Sequence, residues 1–258
     1  MTGDRGVLVS GNWKMHGNHF EALKLVQELA ALFRAGGVPD GREVSLHPPF
    51  TSLRTVQTAV ETDHVPVSLG AQTCHFEDRG AFTGEVSAEM LAKLNVAYVL
   101  AGHSERRALC GESDEVVRAK VDAILRHGMR PIVCVGESAA ERAGGGAEAR
   151  VRAQIAAAFS GRSADLVAGS VVAYEPIWAI GTGETATPDD AEQMCATIRD
   201  ELARLAGSAA EVVRIQYGGS VSPENAAELL AGANVDGLLV GGASLDAARF
   251  AAIVRAGA

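Results

Sequence analysis

The chain has no C-x-x-C cysteine pair, no lysine- or arginine-rich stripe and no apolar run of membrane-spanning length. Each absence removes a class of protein. The four cysteines, Cys74, Cys110, Cys134 and Cys195, stand far apart, and Cys134 lies inside the apolar run Pro131–Val135. That usage suits reduced thiols in a cytosolic protein, not a disulfide framework. The net charge is −9, from 23 Lys+Arg against 32 Asp+Glu. With no basic face, nucleic acid is not an expected partner. A bilayer span takes about 20 consecutive apolar residues, which are missing here. The opening residues MTGDRGVLVSGNWK lack the apolar centre of a secretory signal. Cytoplasmic location is the expectation. Also missing are metal-ligand spacings, a dinucleotide-binding glycine fingerprint and a nucleophilic Ser or Cys triad, so the residues call for no metal or cofactor.

What is present is a regular alternation. Short runs rich in Val, Leu and Ile predict strands near Val7–Val9, Val44–Leu46, Val67–Gly70, Tyr98–Ala101, Pro131–Val135, Val171–Tyr174, Arg214–Tyr217 and Gly237–Val240. Helical patterns fall between them, as at Phe20–Phe33, Val116–Leu125, Ala191–Leu205 and Phe250–Val254. Continuously apolar strands suit a parallel sheet covered on both faces. Helix starts are legible at Thr187-Pro188-Asp189-Asp190 and at Ser222-Pro223-Glu224, each with a cap, a proline and acid in the first turn. Eight strand–helix units in 258 residues predict an α/β fold of the closed (β/α)8 TIM-barrel type, one domain over 1–258. An open doubly wound sheet shows the same alternation and is the alternative. The stretch Gly144-Gly145-Gly146 reads as a surface loop, not a linker.

In such a barrel the chemistry sits at the C-terminal ends of the strands. That rule selects Asn12 and Lys14 after the first strand, His103, Ser104 and Glu105 after the fourth, and Glu175 after the sixth. It also selects Gly218-Gly219-Ser220 after the seventh and Gly241-Gly242 after the eighth. Taken singly, each has an ordinary reading: Lys14 a solvated cation, His103 a turn cap, Glu175 a strand-end charge, the glycines tight turns. Their convergence on one face favours a site. Glu175 is followed by Pro176 and the apolar stretch Ile177-Trp178-Ala179-Ile180, closed by Gly181-Thr182-Gly183. An apolar loop must cover something, which suggests a base beneath a lid that excludes water. Burial there would raise the proton affinity of Glu175. His103 opens a helix, whose N-terminus disfavours imidazolium, so a neutral ring could donate to a carbonyl oxygen. Lys14 supplies positive charge to developing oxyanion, and the glycine turns with Ser220 suit a phosphate. The chemistry indicated is proton abstraction next to a carbonyl in a small phosphorylated compound.

The segments GNWKM (Gly11–Met15), PPFTSL (Pro48–Leu53), GAFTGEVS (Gly80–Ser87), AGHSERR (Ala101–Arg107) and PIVCVGE (Pro131–Glu137) follow in order. AYEPIWAIGTG (Ala173–Gly183), YGGSV (Tyr217–Val221) and LVGGASL (Leu239–Leu245) complete the series. In them the chain resembles the triosephosphate isomerase family nearly end to end. The resemblance implies interconversion of dihydroxyacetone phosphate and D-glyceraldehyde 3-phosphate without cofactor or metal. It implies catalytic roles for Lys14, His103 and Glu175, and substrate binding by Asn12, Lys14, Gly181, Ser220, Gly241 and Gly242. Ser104 and Glu105 would support them. It further implies a homodimer through the loop Thr73–Gly84, with Thr83 at the tip that meets the other subunit's site. His16, Thr73 and Glu184 depart from the family's usual Asn, Asn and Lys; the first two bear on the interface and the third on the far hinge of the lid. Two other functions use the same residues: isomerisation of a tetrulose phosphate, and non-catalytic phosphate binding or moonlighting.

Overall fold

The computed structural model describes residues 5–180 and 186–258. Eight parallel strands close into a barrel in sequence order. They are β1 (Val7–Asn12), β2 (Arg42–His47), β3 (Ser68–Ala71), β4 (Tyr98–Ala101), β5 (Arg130–Val135), β6 (Val171–Tyr174), β7 (Arg214–Tyr217) and β8 (Gly237–Val240). Closure is made by β1 against β8, with Val9 opposite Leu238 and Gly11 opposite Val240. The open-sheet alternative is excluded. Around the barrel lie α1 (His19–Gly36), α2 (Leu53–Thr62), α3 (Ala88–Ala92), α4 (Ser104–Cys110), α5 (Asp114–Arg126) and α6 (Ala139–Ala143). The rest of the ring is α7 (Ala147–Phe159), α8 (Ala164–Ala168), α9 (Pro188–Ala206), α10 (Ala226–Leu230) and α11 (Ala247–Arg255). Among the described residues no helix is long and apolar enough to cross a membrane.

The two-residue period of each strand divides its side chains between two cores. Leu8, Leu100, Ile132, Cys134, Val171 and Leu239 pack together inside the barrel. Val9, Val44, Val99, Val133, Val172, Ile215 and Leu238 face outward onto the helices. One sector of the interior is polar. Gln216 donates to Ser10 Oγ at 2.7 Å, and Ser45 donates to the same oxygen at 2.8 Å.

Helix entry follows the local chemistry. Asn18 caps α1 in a capping box with Glu21, and Thr187 caps α9 in a box with Asp190 behind Pro188. The other expected start is displaced. Ser222-Pro223-Glu224 forms a turn, and α10 begins at Ala226 behind Asn225. The Asn225 side chain accepts from Ser222 N–H at 2.8 Å and donates to Ser220 O at 3.0 Å, so the acid-rich stretch closes a turn before the helix starts. The glycine run 144–146 joins α6 to α7 at the surface. Cys74, Cys134 and Cys195 are buried free thiols, and Cys110 is exposed.

Candidate active site

Backbone bonds at the strand ends place the polar residues. Trp13 N–H donates to His47 O at 3.1 Å, which fixes the chain between Asn12 and Lys14 at the mouth of β1. Lys14 itself stands at φ +53°, in the left-handed region. For a long non-glycine side chain that conformation costs on the order of 1 kcal/mol and persists only where neighbours hold it. Here Lys14 N–H donates to Asn12 Oδ1 at 3.1 Å, and Gln72 Nε2 donates to Lys14 O at 2.7 Å. The Lys14 ammonium reaches Glu105 Oε1 at 2.6 Å. That charge holds the Glu105 carboxyl below its ordinary range, although partial burial pulls the other way.

His103 is buried and caps α4, its Nδ1 accepting from Glu105 N–H at 3.2 Å. The acceptor role at Nδ1 puts the ring proton on Nε2. Nε2 lies 2.8 Å from Glu175 Oε1. Burial lowers the affinity of the ring for a second proton, but the charge of Glu175 and its hydrogen bond outweigh burial and raise it. The neutral ring expected from the helix N-terminus is therefore opposed, in this resting geometry, by the carboxylate beside it. Lys14 acts in the same sense as burial.

Glu175 is buried at the end of β6. Its N–H donates to Val135 O at 2.7 Å, and Gly218 N–H donates to Tyr174 O at 2.7 Å. A Cβ at Gly136 would lie 1.8 Å from Glu175 O, so the β5 turn must be glycine for the backbone to seat there. The second carboxylate oxygen, Oε2, accepts Ser104 N–H at 2.8 Å. After Glu175 the chain makes a short 3-10 turn, Ile177–Ala179. Trp178 Nε1 donates to Glu137 Oε1 at 2.8 Å, and Tyr174 donates to the same oxygen at 3.1 Å. The Arg142 guanidinium lies 4.3 Å from the Trp178 ring centroid and pairs with Asp190 at the head of α9.

A cavity of about 400 Å³ gathers Asn12, Lys14, His103, Glu175 and Ile180 with Ser220, Gly241 and Gly242. Every selected strand-end residue that is described thus lies on or beside one opening; Ser104 and Glu105 touch it through Glu175, His103 and Lys14. Gly181 and Glu184 lie outside the described residues. Thr83 is exposed on its loop and does not line this cavity. Of the departures from the usual pattern, Thr73 is buried and accepts Lys120 Nζ at 2.8 Å, whereas His16 is exposed. Sequence reasoning missed three contributors: Gln72, which holds the strained Lys14; Glu137, which holds Trp178; and Arg249, which lines the cavity from α11. Glu137 follows an apolar strand just as Glu175 does, and that signal was there to be read.

Barrel and site define a class: a (β/α)8-barrel protein whose buried strand-end carboxylate, histidine and lysine share one small cavity. A family model described as triosephosphate isomerase matches residues 7–257. The chain is 53% identical over 248 residues to the triosephosphate isomerase of Chloroflexus aurantiacus, covering 96% of this chain and 97% of that protein. It is 51% identical over 251 residues to that of Roseiflexus and 48% over 252 residues to that of Cutibacterium acnes, with 97% of each chain covered in both cases. The chain belongs to the triosephosphate isomerase family.

Proposed function

We propose that this chain, acting as one barrel domain over 1–258, is an isomerase that interconverts dihydroxyacetone phosphate and D-glyceraldehyde 3-phosphate. The observation that carries the reading is the convergence of Lys14, His103 and Glu175 on one cavity of about 400 Å³ beside the glycine turns of β7 and β8. The phosphate sits among Ser220, Gly241 and Gly242, with Gly181 contributing from the lid. The carbonyl and hydroxyl oxygens meet His103, Lys14 and Asn12. Glu175 takes a proton from one carbon, leaving an enediolate; His103 passes the hydroxyl proton from one oxygen to the other, and Glu175 returns its proton to the neighbouring carbon. His103 Nε2–H and the Lys14 ammonium stabilise the oxyanion while it exists. Water-free enclosure favours reprotonation over phosphate loss.

The resting hydrogen bonds support an order of events for this reading. Glu175 gives up both His103 Nε2 and Ser104 N–H before it reaches carbon. Once it leaves, the influence that raised the proton affinity of His103 goes with it. Burial and Lys14 then favour the neutral ring that suits a donor to a carbonyl oxygen, with Glu105 alone still opposing them. The same apparatus would serve a four-carbon ketose phosphate.

A coupled assay that reduces newly formed dihydroxyacetone phosphate with NADH tests the reading. Turnover of D-glyceraldehyde 3-phosphate is expected, with kcat/KM well above that for a tetrulose phosphate. Folded protein with no turnover of either would leave phosphate binding alone as its function. We also infer a cytoplasmic homodimer formed through the loop Thr73–Gly84.

A further inference from the structure

Arg249 lines the cavity with Lys14, Ser220 and Gly242, yet it comes from α11 and not from a strand end. Its position is electrostatically odd. It stands in the first turn of the helix, three residues after the cap Asp246, whose Oδ1 accepts Arg249 N–H at 2.9 Å. A cation there faces the positive end of the helix dipole, which disfavours it. Burial does not require the side chain, because Arg249 is exposed. Among the described residues its guanidinium has no carboxylate within ion-pair distance; Glu224 feels its charge only through space. Lys14, the other full cation on the wall among the described residues, is already bound to Glu105.

Among the described residues the cavity therefore presents one committed cation, one carboxylate, Glu175, and one uncommitted guanidinium beside the phosphate turns. The surrounding molecule carries −9. A dianionic substrate approaches against that average field and needs a local positive feature to enter. We propose that Arg249 is a phosphate-recognition residue of this site. Its guanidinium draws the phosphate dianion to the opening and then donates to the phosphate oxygens at the solvent side of Ser220 and Gly242. A planar guanidinium suits two phosphate oxygens at once, and its length lets it follow the phosphate inward. This role rests on the triose phosphate reading above, and it adds a side-chain cation to a phosphate site otherwise made of backbone turns, Ser220 and Lys14.

The test compares the intact protein with Arg249→Gln and Arg249→Lys. The readouts are kcat and KM for D-glyceraldehyde 3-phosphate over a range of salt concentrations, and the affinity for inorganic phosphate by direct titration. At low salt Arg249→Gln is expected to lower kcat/KM by roughly 3- to 10-fold, mainly through KM, and to weaken inorganic phosphate binding by a similar factor. The gap should close as salt rises and screening sets in. Arg249→Lys should recover most of the loss. Equal phosphate affinity and equal salt dependence in wild type and Arg249→Gln would overturn the proposal. The phosphate titration does not need turnover. If the wild type binds phosphate in an Arg249-dependent way yet isomerises nothing, the anion site stands and the isomerase reading falls.

Discussion

Glu175 has both carboxylate oxygens occupied in the resting site, one by His103 Nε2 and one by Ser104 N–H, each at 2.8 Å. In its proposed role as base, Glu175 reaches carbon only by exchanging those bonds, so its reach is set by the length of its side chain. Glu175→Asp removes one methylene and withdraws the carboxylate by more than 1 Å, a displacement that costs about 10²-fold or more in a near-attack geometry. The variant is expected to keep the wild-type melting temperature while kcat falls by at least that factor. Undiminished kcat would remove Glu175 from the role of base. At this scale most of the candidate site was legible, because one rule, the C-terminal ends of parallel strands, selects Lys14, His103 and Glu175, which line one cavity. It passed over Arg249 because that residue reaches the same cavity from a helix, where the rule is silent. It also passed over Gln72, whose part is to hold the backbone of Lys14 at positive φ; a hydrogen bond of that kind has no sequence pattern.

Elements were legible where the apolar period was clean. The strands lie within a few residues of their expected positions, and their continuous burial follows from the helices that cover them. The start of α10 was misplaced because Ser222-Pro223-Glu224 satisfies both a helix cap and a turn, and Asn225 decides for the turn. The pairing of β2 with β3 conceals a further feature. His47, at the end of β2, is fully buried against Gly70, where a Cβ would lie 2.3 Å from the ring. Its Nε2 lies 3.0 Å from Ser45 Oγ and its Nδ1 lies 3.1 Å from Ala71 O. Burial lowers its pKa from 6.5 to about 4, against a smaller opposing influence from the Ala71 carbonyl. The unfolded chain therefore binds a proton near pH 6.5 that the folded chain refuses until about pH 4. The stability from the neutral ring is present above pH 6.5 and is lost as pH falls toward 4, by about 3 kcal/mol over that window. Melting temperatures of wild type and His47→Gln between pH 7 and pH 4 isolate this contribution, since the carboxylates are common to both. The wild type is expected to lose more stability on acidification; parallel curves would reject the assignment.

At the scale of the whole molecule the unexplained surface is apolar and lies beside Lys14. Met15 is 94% exposed and Leu109 82%, and both line a cavity of about 340 Å³ with Lys14, Thr73 and Glu105. On the same side of β3 the loop Thr73–Gly84 stands out from the barrel on a pinned stem: His75 N–H donates to Val86 O at 2.8 Å, and His75 pairs with Ser87. Its tip is stiffened by rings, with Phe82 at 4.1 Å from His75 and His75 at 4.4 Å from Phe76. Arg126 and His127 hold Asp78 from α5 and its C-cap. A rigid loop beside an open apolar cavity suits the proposed two-fold pair, in which each loop would enter the partner's cavity and cover both Met15 side chains. Sedimentation over a range of concentrations is expected to show a dimer. Met15→Asp should shift it to monomer without loss of subunit folding, because that side chain is almost fully solvated in the single chain. The separated subunits should lose activity, since Lys14 adjoins Met15 and its strained backbone depends on Gln72 from the base of the same loop. A wild type that sediments as a fully active monomer at every concentration would reject both the interface and the link from loop to lysine.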